Sequence, residues 1–265
     1  MGVVSESAPS LATLRAGLAE ASGDELAALL RALADDPRAG AQELLAATRA
    51  RERRVEAESA RLGLLMEMQR ELHARGIAVV AGVDEVGRGA LAGPVTAGAV
   101  ILRADVRIDG LDDSKRLSRD ARERVAARVR EQALAWSVAH AGPDEIDAIG
   151  IGPATRLAWR RALEGLGTPF DHVLVDGNDG RGLGPAVTTV VRGDSLVACI
   201  AAASVIAKVT RDALMADLAI GYPGYGFEGN RGYGSPDHLE RIRSVGPSDV
   251  HRRSFSPCSD WGALF

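Results

Sequence analysis

Three apolar runs in the second part of the chain each break off at an acidic residue within two positions of a glycine, and this repetition constrains the fold more than any other feature. The runs are Gly82-Val83-Asp84-Glu85-Val86-Gly87, Val173-Leu174-Val175-Asp176-Gly177 and Val190-Val191-Arg192-Gly193-Asp194. An unpaired carboxylate inside a core is very costly. The acids are therefore expected at strand ends, where a side chain stands free of the sheet and backbone amides are within reach.

The segments between these runs are helical in pattern. Ile77 to Val86 and Pro94 to Leu102 read as strands separated by a glycine-rich turn, Arg119 to Ala135 as helix, and Trp136 to His140 as strand. Asp144 to Leu166 reads as helix interrupted at Gly150, Gly152 and Pro153, and His172 to Val175 and Val187 to Val191 as short strands. Ser195 to Ala219 is a nearly all-apolar helix that must be buried. Alternation of this kind predicts an α/β fold with a mixed β-sheet flanked by helices.

The first 76 residues are rich in Ala, Leu, Glu and Arg and favour helix throughout. Ser22 and Glu25 fit a capping box ahead of Leu26, Leu29, Leu30 and Leu33, and Asp36-Pro37 marks a second helix start. A long helix follows over 41–74, with Leu62, Leu65, Met66 and Leu72 on its apolar face and Arg54 and Glu58 as an i, i+4 pair. The expected division is a helical extension over 1–76 and a catalytic domain over 77–265 with a C-terminal binding segment from about residue 220. Arg49, Arg51, Arg53 and Arg54 form the extension's dense basic cluster, either a solvated helix face or a contact to a nucleic-acid backbone.

A chain of 265 residues, 46% hydrophobic, can bury a core without disulfides or a structural metal. It has two cysteines, Cys199 and Cys258, and opens on MGVVSESAPS, which lacks a basic stretch followed by an apolar run. No run approaches the roughly 20 apolar residues of a membrane span, so a cytoplasmic protein with no membrane partner is expected. The net charge of −4 argues at first against a nucleic-acid partner. Among 32 basic residues only Lys115 and Lys208 are lysines.

For the acids two explanations compete. Asp176 can open an Asp-Gly turn, and Asp194 or Ser195 can cap the following helix. Alternatively the acids form a carboxylate cluster for hard divalent cations, which choose oxygen ligands. Asp84 beside Glu85 favours the second, because adjacent acids at a strand end repel each other. Neighbours in a regular strand face opposite sides, so both reach one site only if the strand ends or bulges at Glu85. Gly87-Arg88-Gly89-Ala90-Leu91-Ala92 also matches a dinucleotide fingerprint, but a strand rather than a helix follows it, and a nucleotide cofactor is not expected. Ser195 lacks the second glycine of a nucleophile elbow.

From about Ile77 to Phe255 the chain resembles bacterial ribonuclease HII. The matching motifs, in family order, are GVDEVGRG at 82–89, LAGPV at 91–95, LDDSKRLS at 111–118, VDGN at 175–178, GDS at 193–195, AAASVIAKVTRD at 201–212, GYG at 232–234 and HRRSF at 251–255. The resemblance implies a ribonuclease H-like fold and an endonuclease that cuts 5′ to ribonucleotides in RNA-DNA hybrids and in duplex DNA, leaving 3′-hydroxyl and 5′-phosphate ends. It implies that Asp84, Glu85, Asp176 and Asp194 are catalytic and hold two Mn²⁺ or Mg²⁺ ions. It further implies that Gly87, Arg88 and Gly89 read the ribose 2′-hydroxyl and that Tyr233 helps to recognise the junction with deoxyribose. Ser114, Lys115 and Lys208 lie in matched motifs and are expected near the substrate backbone or the acids. Departures are Ala90 where proline is usual, Asn230-Arg231 in place of His-Lys, and Ser235 in place of threonine. The intact Gly-Arg-Gly turn points away from ribonuclease HIII. Another ribonuclease H-like nuclease, such as a junction resolvase, and a non-catalytic nucleic-acid-binding module remain alternatives. A monomer is expected. His238 and His251 are placed at phosphate or on the surface and carry no assigned duty.

Overall fold

The computed structural model describes residues 9–184 and 186–261. The chain separates into two compact units, one up to Arg61 and one from Leu62 onward. In the first, α1 (Leu11–Glu20), α2 (Gly23–Ala34) and the first part of α3 (Ala39–Leu65) close on Leu14, Leu33, Ala41 and Leu45. Ser10 caps α1 by accepting from the Thr13 amide at 3.1 Å. Ser22 precedes α2 without a side-chain cap bond, so the expected capping box does not form. The helix start expected at Asp36-Pro37 falls at Ala39, two residues past Pro37, and the Asp36 carboxylate accepts from the Arg38 amide at 3.0 Å and from its Nε at 2.9 Å.

The second unit begins with the end of α3 and with α4 (Glu67–Ala74). The single helix expected over 41–74 is broken at Met66, where the backbone relaxes to φ −86°, ψ −7°. Helical hydrogen bonds flank the break, Met66 N to Leu62 O at 3.2 Å and Arg70 N to Met66 O at 3.0 Å, and Leu62, Leu65, Met66 and Leu72 belong to one core.

Five strands form one sheet: β1 (Val80–Val86), β2 (Val95–Ile101), β3 (Ala135–Ala141), β4 (His172–Asp176) and β5 (Val187–Val190), in the order β3-β2-β1-β4-β5. The first three pair antiparallel, and β4 lies parallel to both β1 and β5. Parallel neighbours need long crossovers, which explains the helices between β3 and β4. These are α6 (Pro143–Ile149) and α7 (Ile151–Glu164), split at Gly150, whose φ of +79° only glycine adopts readily. The mixed sheet flanked by helices is the architecture the sequence pattern predicts.

Alternation along β1 assigns its two faces. Val80 belongs to the core shared with α8 (Ala198–Gly221) and α5 (Arg119–Gln132), whereas Ala81 and Val83 pack with Ala154, Ala158 and Trp159 of α7. Contact with α8 is unusually close, since a Cβ at Gly82 would land on the Cys199 backbone and one at Gly98 on the Ala203 carbonyl. The amide of Cys199, near the start of α8, is satisfied from α4 by Gln69 Oε1 at 3.1 Å. Instead of starting at Ser195 as expected, α8 begins at Ala198, behind a 3₁₀ turn over Gly193–Ser195. Two short helices, α9 (Phe227–Asn230) and α10 (Pro236–Val245), complete the C-terminal segment.

Candidate active site

The three acid-bearing runs end at one edge of the sheet. Asp84 lies near the end of β1, one residue past the Val83–Val175 pair, and Asp176 is the last residue of β4, opposite Val190 of β5. Asp194 follows in the 3₁₀ turn, which Asp176 helps to hold by accepting from the Gly193 amide at 2.7 Å. The residue before that turn, Arg192, sits in the left-handed region at φ +59°, a conformation uncommon for a residue with a Cβ.

Asp84 is buried, with Oδ1 accepting from the Glu85 amide at 2.7 Å. Ser204 of α8 favours the charged form of the same carboxylate, and Ser204 Oγ lies 2.9 Å from Ser114 Oγ. Glu85 points to the opposite face, where Trp159 Nε1 donates to Oε2 at 3.1 Å. The strand neither ends nor bulges at this pair, because Glu85 and Val86 continue the register with Ala97 and Thr96. The two acids instead stand on either side of the strand near its end.

Their electrostatics is unfavourable as it stands. Burial, with the Glu85 charge next, holds the Asp84 carboxyl well above its ordinary range. Burial also raises Glu85, against the opposing pull of Arg88, and burial followed by the Asp194 charge raises Asp176. Two cations offset part of this. Lys115 Nζ lies 2.8 Å from Asp194 Oδ2, and the Arg88 guanidinium lies 3.3 Å from Glu85 Oε1. Among the described residues no three acidic, histidine or cysteine side chains are gathered tightly enough to close around an ion. The donor set nevertheless suits a hard cation, being all oxygen and short of positive charge.

Lys208 is placed differently from Lys115. Among the described residues its ion pair is to Asp212 Oδ1, at 2.7 Å and one turn on in α8, and Arg122 also approaches Asp212 at 3.6 Å. Lys208 therefore joins a pair on the helix rather than touching one of the four acids.

The turn between β1 and β2 carries Gly87, Arg88 and Gly89. Gly87 has φ +88°, and a Cβ there would strike the Arg211 guanidinium, whereas a Cβ at Gly89 would meet nothing within 4 Å. Ala90 uses a hydrogen bond that a proline lacks, donating its amide to the Gly87 carbonyl at 3.3 Å. Tyr233 is 37% exposed, and the Arg211 guanidinium carbon lies 5.5 Å from its ring centre. Asn230 orders the turn before it, donating to the Tyr225 carbonyl and accepting from the Gly232 amide, both at 2.7 Å. Ser235 caps α10 through the His238 amide at 3.3 Å.

Sequence reasoning passed over four residues of this neighbourhood: Trp159, Ser204, Arg211 and Arg252. Arg211 was open to discovery, as an arginine within a largely apolar helix. His238 and His251 are both buried, not superficial, because each has hydrogen-bond partners inside the C-terminal segment.

Comparison with known proteins agrees with this architecture. The ribonuclease HII family profile matches residues 81–258, and that of the ribonuclease HII N-terminal domain matches residues 10–73. A ribonuclease HII of Myxococcus xanthus is 45% identical over 230 residues, covering 86% of this chain and 78% of its own. The ribonuclease H2 of Pyrococcus horikoshii superposes with a TM-score of 0.60 at 25% identity, over 70% of this chain and 98% of its own. Bst-RNase HIII, solved in complex with Mn²⁺, superposes with a TM-score of 0.55 at 20% identity over 72% of this chain and 71% of its own, and shows the shared fold. With both parts of the sequence matched and a carboxylate-edged mixed sheet in place, the chain belongs to the ribonuclease HII family, endonucleases of the ribonuclease H type.

Proposed function

We propose that this chain hydrolyses the phosphodiester on the 5′ side of ribonucleotides, in RNA-DNA hybrids and at single ribonucleotides within duplex DNA. Asp84, Glu85, Asp176 and Asp194 would hold two divalent cations, Mn²⁺ or Mg²⁺. The observation that carries this reading is the meeting of raised, mutually repelling carboxylates at one sheet edge beside a turn that leaves Gly89 bare. Such ions supply water activation and stabilisation of the leaving 3′ oxygen.

The chain's own groups do the rest. Asp176 keeps Asp194 in place through the Gly193 amide, and Trp159 holds Glu85 on its side of the strand. Ser204, backed by Ser114, fixes Asp84. Lys115 and Arg88 balance carboxylate charge now and would face phosphate once cations take that role. Gly87, Arg88 and Gly89 would reach the 2′-hydroxyl, the donor and acceptor that separates RNA from DNA. Tyr233 would pack on the neighbouring sugar or base. In the cleavage itself, water oxygen bonds to phosphorus, the bond to the preceding 3′ oxygen breaks, and that oxygen leaves as a hydroxyl.

The division of the chain is part of this reading, with 1–76 an extension to the nuclease of 77–265 whose segment from about 220 bears on substrate. Among the described residues no helix is long and apolar enough to cross a membrane. The negative net charge fits a nucleic-acid enzyme after all, since the four proposed ligands alone account for −4 and two bound cations would cancel it.

The test is cleavage of four duplexes: an RNA-DNA hybrid, DNA with one ribonucleotide, all-DNA, and a four-way junction, each with Mg²⁺, Mn²⁺ or chelator. Cutting of the first two only, and only with a divalent ion, is expected. Junction cutting would favour a resolvase, and binding without cutting would favour a non-catalytic module.

A further inference from the structure

Two arginines lie fully buried behind the recognition turn, and among the described residues neither forms an ion pair with a carboxylate. Arg252 spends its guanidinium on three carbonyls, those of Gly93 at 3.0 Å and of Arg88 and Gly87 at 2.7 Å. Arg211 does the same for Pro94 at 2.9 Å, Arg231 at 2.9 Å and Ala92 at 3.1 Å. Burial, and then the neighbouring Arg211 charge, draws Arg252 down to about 9, so it keeps its proton at neutral pH. Each arginine also stacks on an aromatic ring, Arg211 on Tyr233 at 5.5 Å and Arg252 on Phe255 at 5.2 Å, but a buried cation is costly to desolvate. Its return lies in geometry, because five fixed donors can hold several carbonyls in one orientation. With the carbonyls of Gly87 and Arg88 drawn inward, the outer side of the turn is left free for substrate.

The adjacent residue, His251, acts on the other proposed recognition element. Its Nδ1 accepts from the Ser248 amide at 3.0 Å, so in the neutral ring the proton sits on Nε2. His238 Nδ1 lies 2.8 Å from the Tyr233 carbonyl and must donate, which leaves its Nε2 as acceptor. The two Nε2 atoms are 3.0 Å apart, so His251 donates to His238 and His238 donates to the Tyr233 main chain. Each ring has one arrangement that satisfies all its partners. Residues 250–252 also lie alongside 91–93, through Gly93 N to Val250 O at 2.8 Å and Arg252 N to Leu91 O at 2.8 Å.

We propose that this His251-Arg252 strap is a specificity-positioning element, in which one stretch of chain sets the Gly87-Gly89 turn through Arg252 and the Tyr233 main chain through His251 and His238. The inference rests on the reading of the turn and Tyr233 as ribonucleotide contacts. On that basis the strap fixes the spacing between the contact to the 2′-hydroxyl and the contact to the adjoining deoxyribose. None of its three residues touches the substrate.

Two isosteric variants separate positioning from mere packing. Asn at 238 places an amide near Nδ1 and retains a donor to Tyr233, whereas Gln places its oxygen near Nε2 and retains only the link to His251. Both lose half of the pair and are expected to unfold at similar temperatures. The readout is the ratio of kcat/KM on DNA with one ribonucleotide to kcat/KM on an RNA-DNA hybrid. We expect both His238→Gln and His238→Asn to lower this ratio by about tenfold, because either one interrupts the relay from His251 to the Tyr233 main chain. Arg252→Lys, which can hold fewer carbonyls, should lower kcat/KM on both substrates while Mn²⁺ still raises its melting temperature as in the parent. A parental ratio in either His238 variant would overturn the inference, as would a loss that simply tracks melting temperature. A Tyr233→Ala control tells the two failures apart. If its ratio is unchanged, the reading of Tyr233 itself falls; if its ratio drops while either His238 variant keeps the parental ratio, only the strap falls.

Discussion

Asp84→Asn is expected to remove cleavage and yet to raise the melting temperature of the metal-free protein. The carboxyl is buried and its pKa is raised, first by burial and then by the Glu85 charge. A group whose pKa is higher folded than unfolded favours folding while protonated, and that advantage is lost as pH climbs through the raised value. As pH rises above the unfolded carboxyl value, the buried Asp84 therefore works increasingly against the fold. Asparagine removes the charge and keeps the bonds, since its oxygen can take the Glu85 amide and its amide can donate to Ser204 Oγ. The gain should be about 1–3 kcal/mol, the range for relieving a badly compensated buried polar group, or a few degrees for a domain of this size. It should vanish toward pH 4, where the parent's carboxyls are protonated too. Activity should fall by at least 10²–10³-fold, roughly the effect of losing one preorganised electrostatic contributor. Thermal unfolding against pH, with turnover measured on the same samples, checks both halves; a less stable or fully active variant would contradict the account.

The second large effect is a contrast between two neighbouring glycines. Gly89→Ala should leave stability within about 0.5 kcal/mol, because its new methyl meets nothing within 4 Å. It should nonetheless cut kcat/KM by about 10²-fold on DNA with one ribonucleotide, because the methyl stands where the sugar must approach. Gly87→Ala should do the reverse in origin. At φ +88° and against the Arg211 guanidinium, it should cost about 1–3 kcal/mol of stability by crowding and strain, with activity falling as a consequence. Melting temperatures and kcat/KM for both variants decide the matter. A destabilised Gly89→Ala, or one with parental activity, would show that the turn does not work as proposed.

How legible was all this in the sequence? The sheet was readable because its strands are continuous apolar runs bounded by glycine, and the acids at their ends because a buried carboxylate cannot sit elsewhere in such a run. The helix breaks at Met66 and Gly150 and the late start of α8 were less readable, since they answer to packing between distant segments. The helical period of Leu62, Leu65, Met66 and Leu72 does announce their shared core, but not the local irregularity at Met66. Residue type did not tell the two lysines apart. Lys115 and Lys208 are equally conspicuous as the two lysines of the chain, but one meets Asp194 and the other an aspartate on its own helix. The histidines and buried arginines escaped because their partners are main-chain carbonyls and each other, which no spacing in the sequence announces.

The central claim is that a 2′-hydroxyl is recognised while metal-assisted water breaks the bond on its 5′ side. The most direct measurement is the end chemistry of the products from a DNA duplex carrying one ribonucleotide, cut with Mn²⁺ or Mg²⁺. The account predicts a 3′-hydroxyl on the preceding deoxynucleotide and a 5′-phosphate on the ribonucleotide, with no cut when that sugar is 2′-deoxy. A cut on the 3′ side leaving a 2′,3′-cyclic phosphate, or equal cutting of the all-DNA duplex, would contradict it.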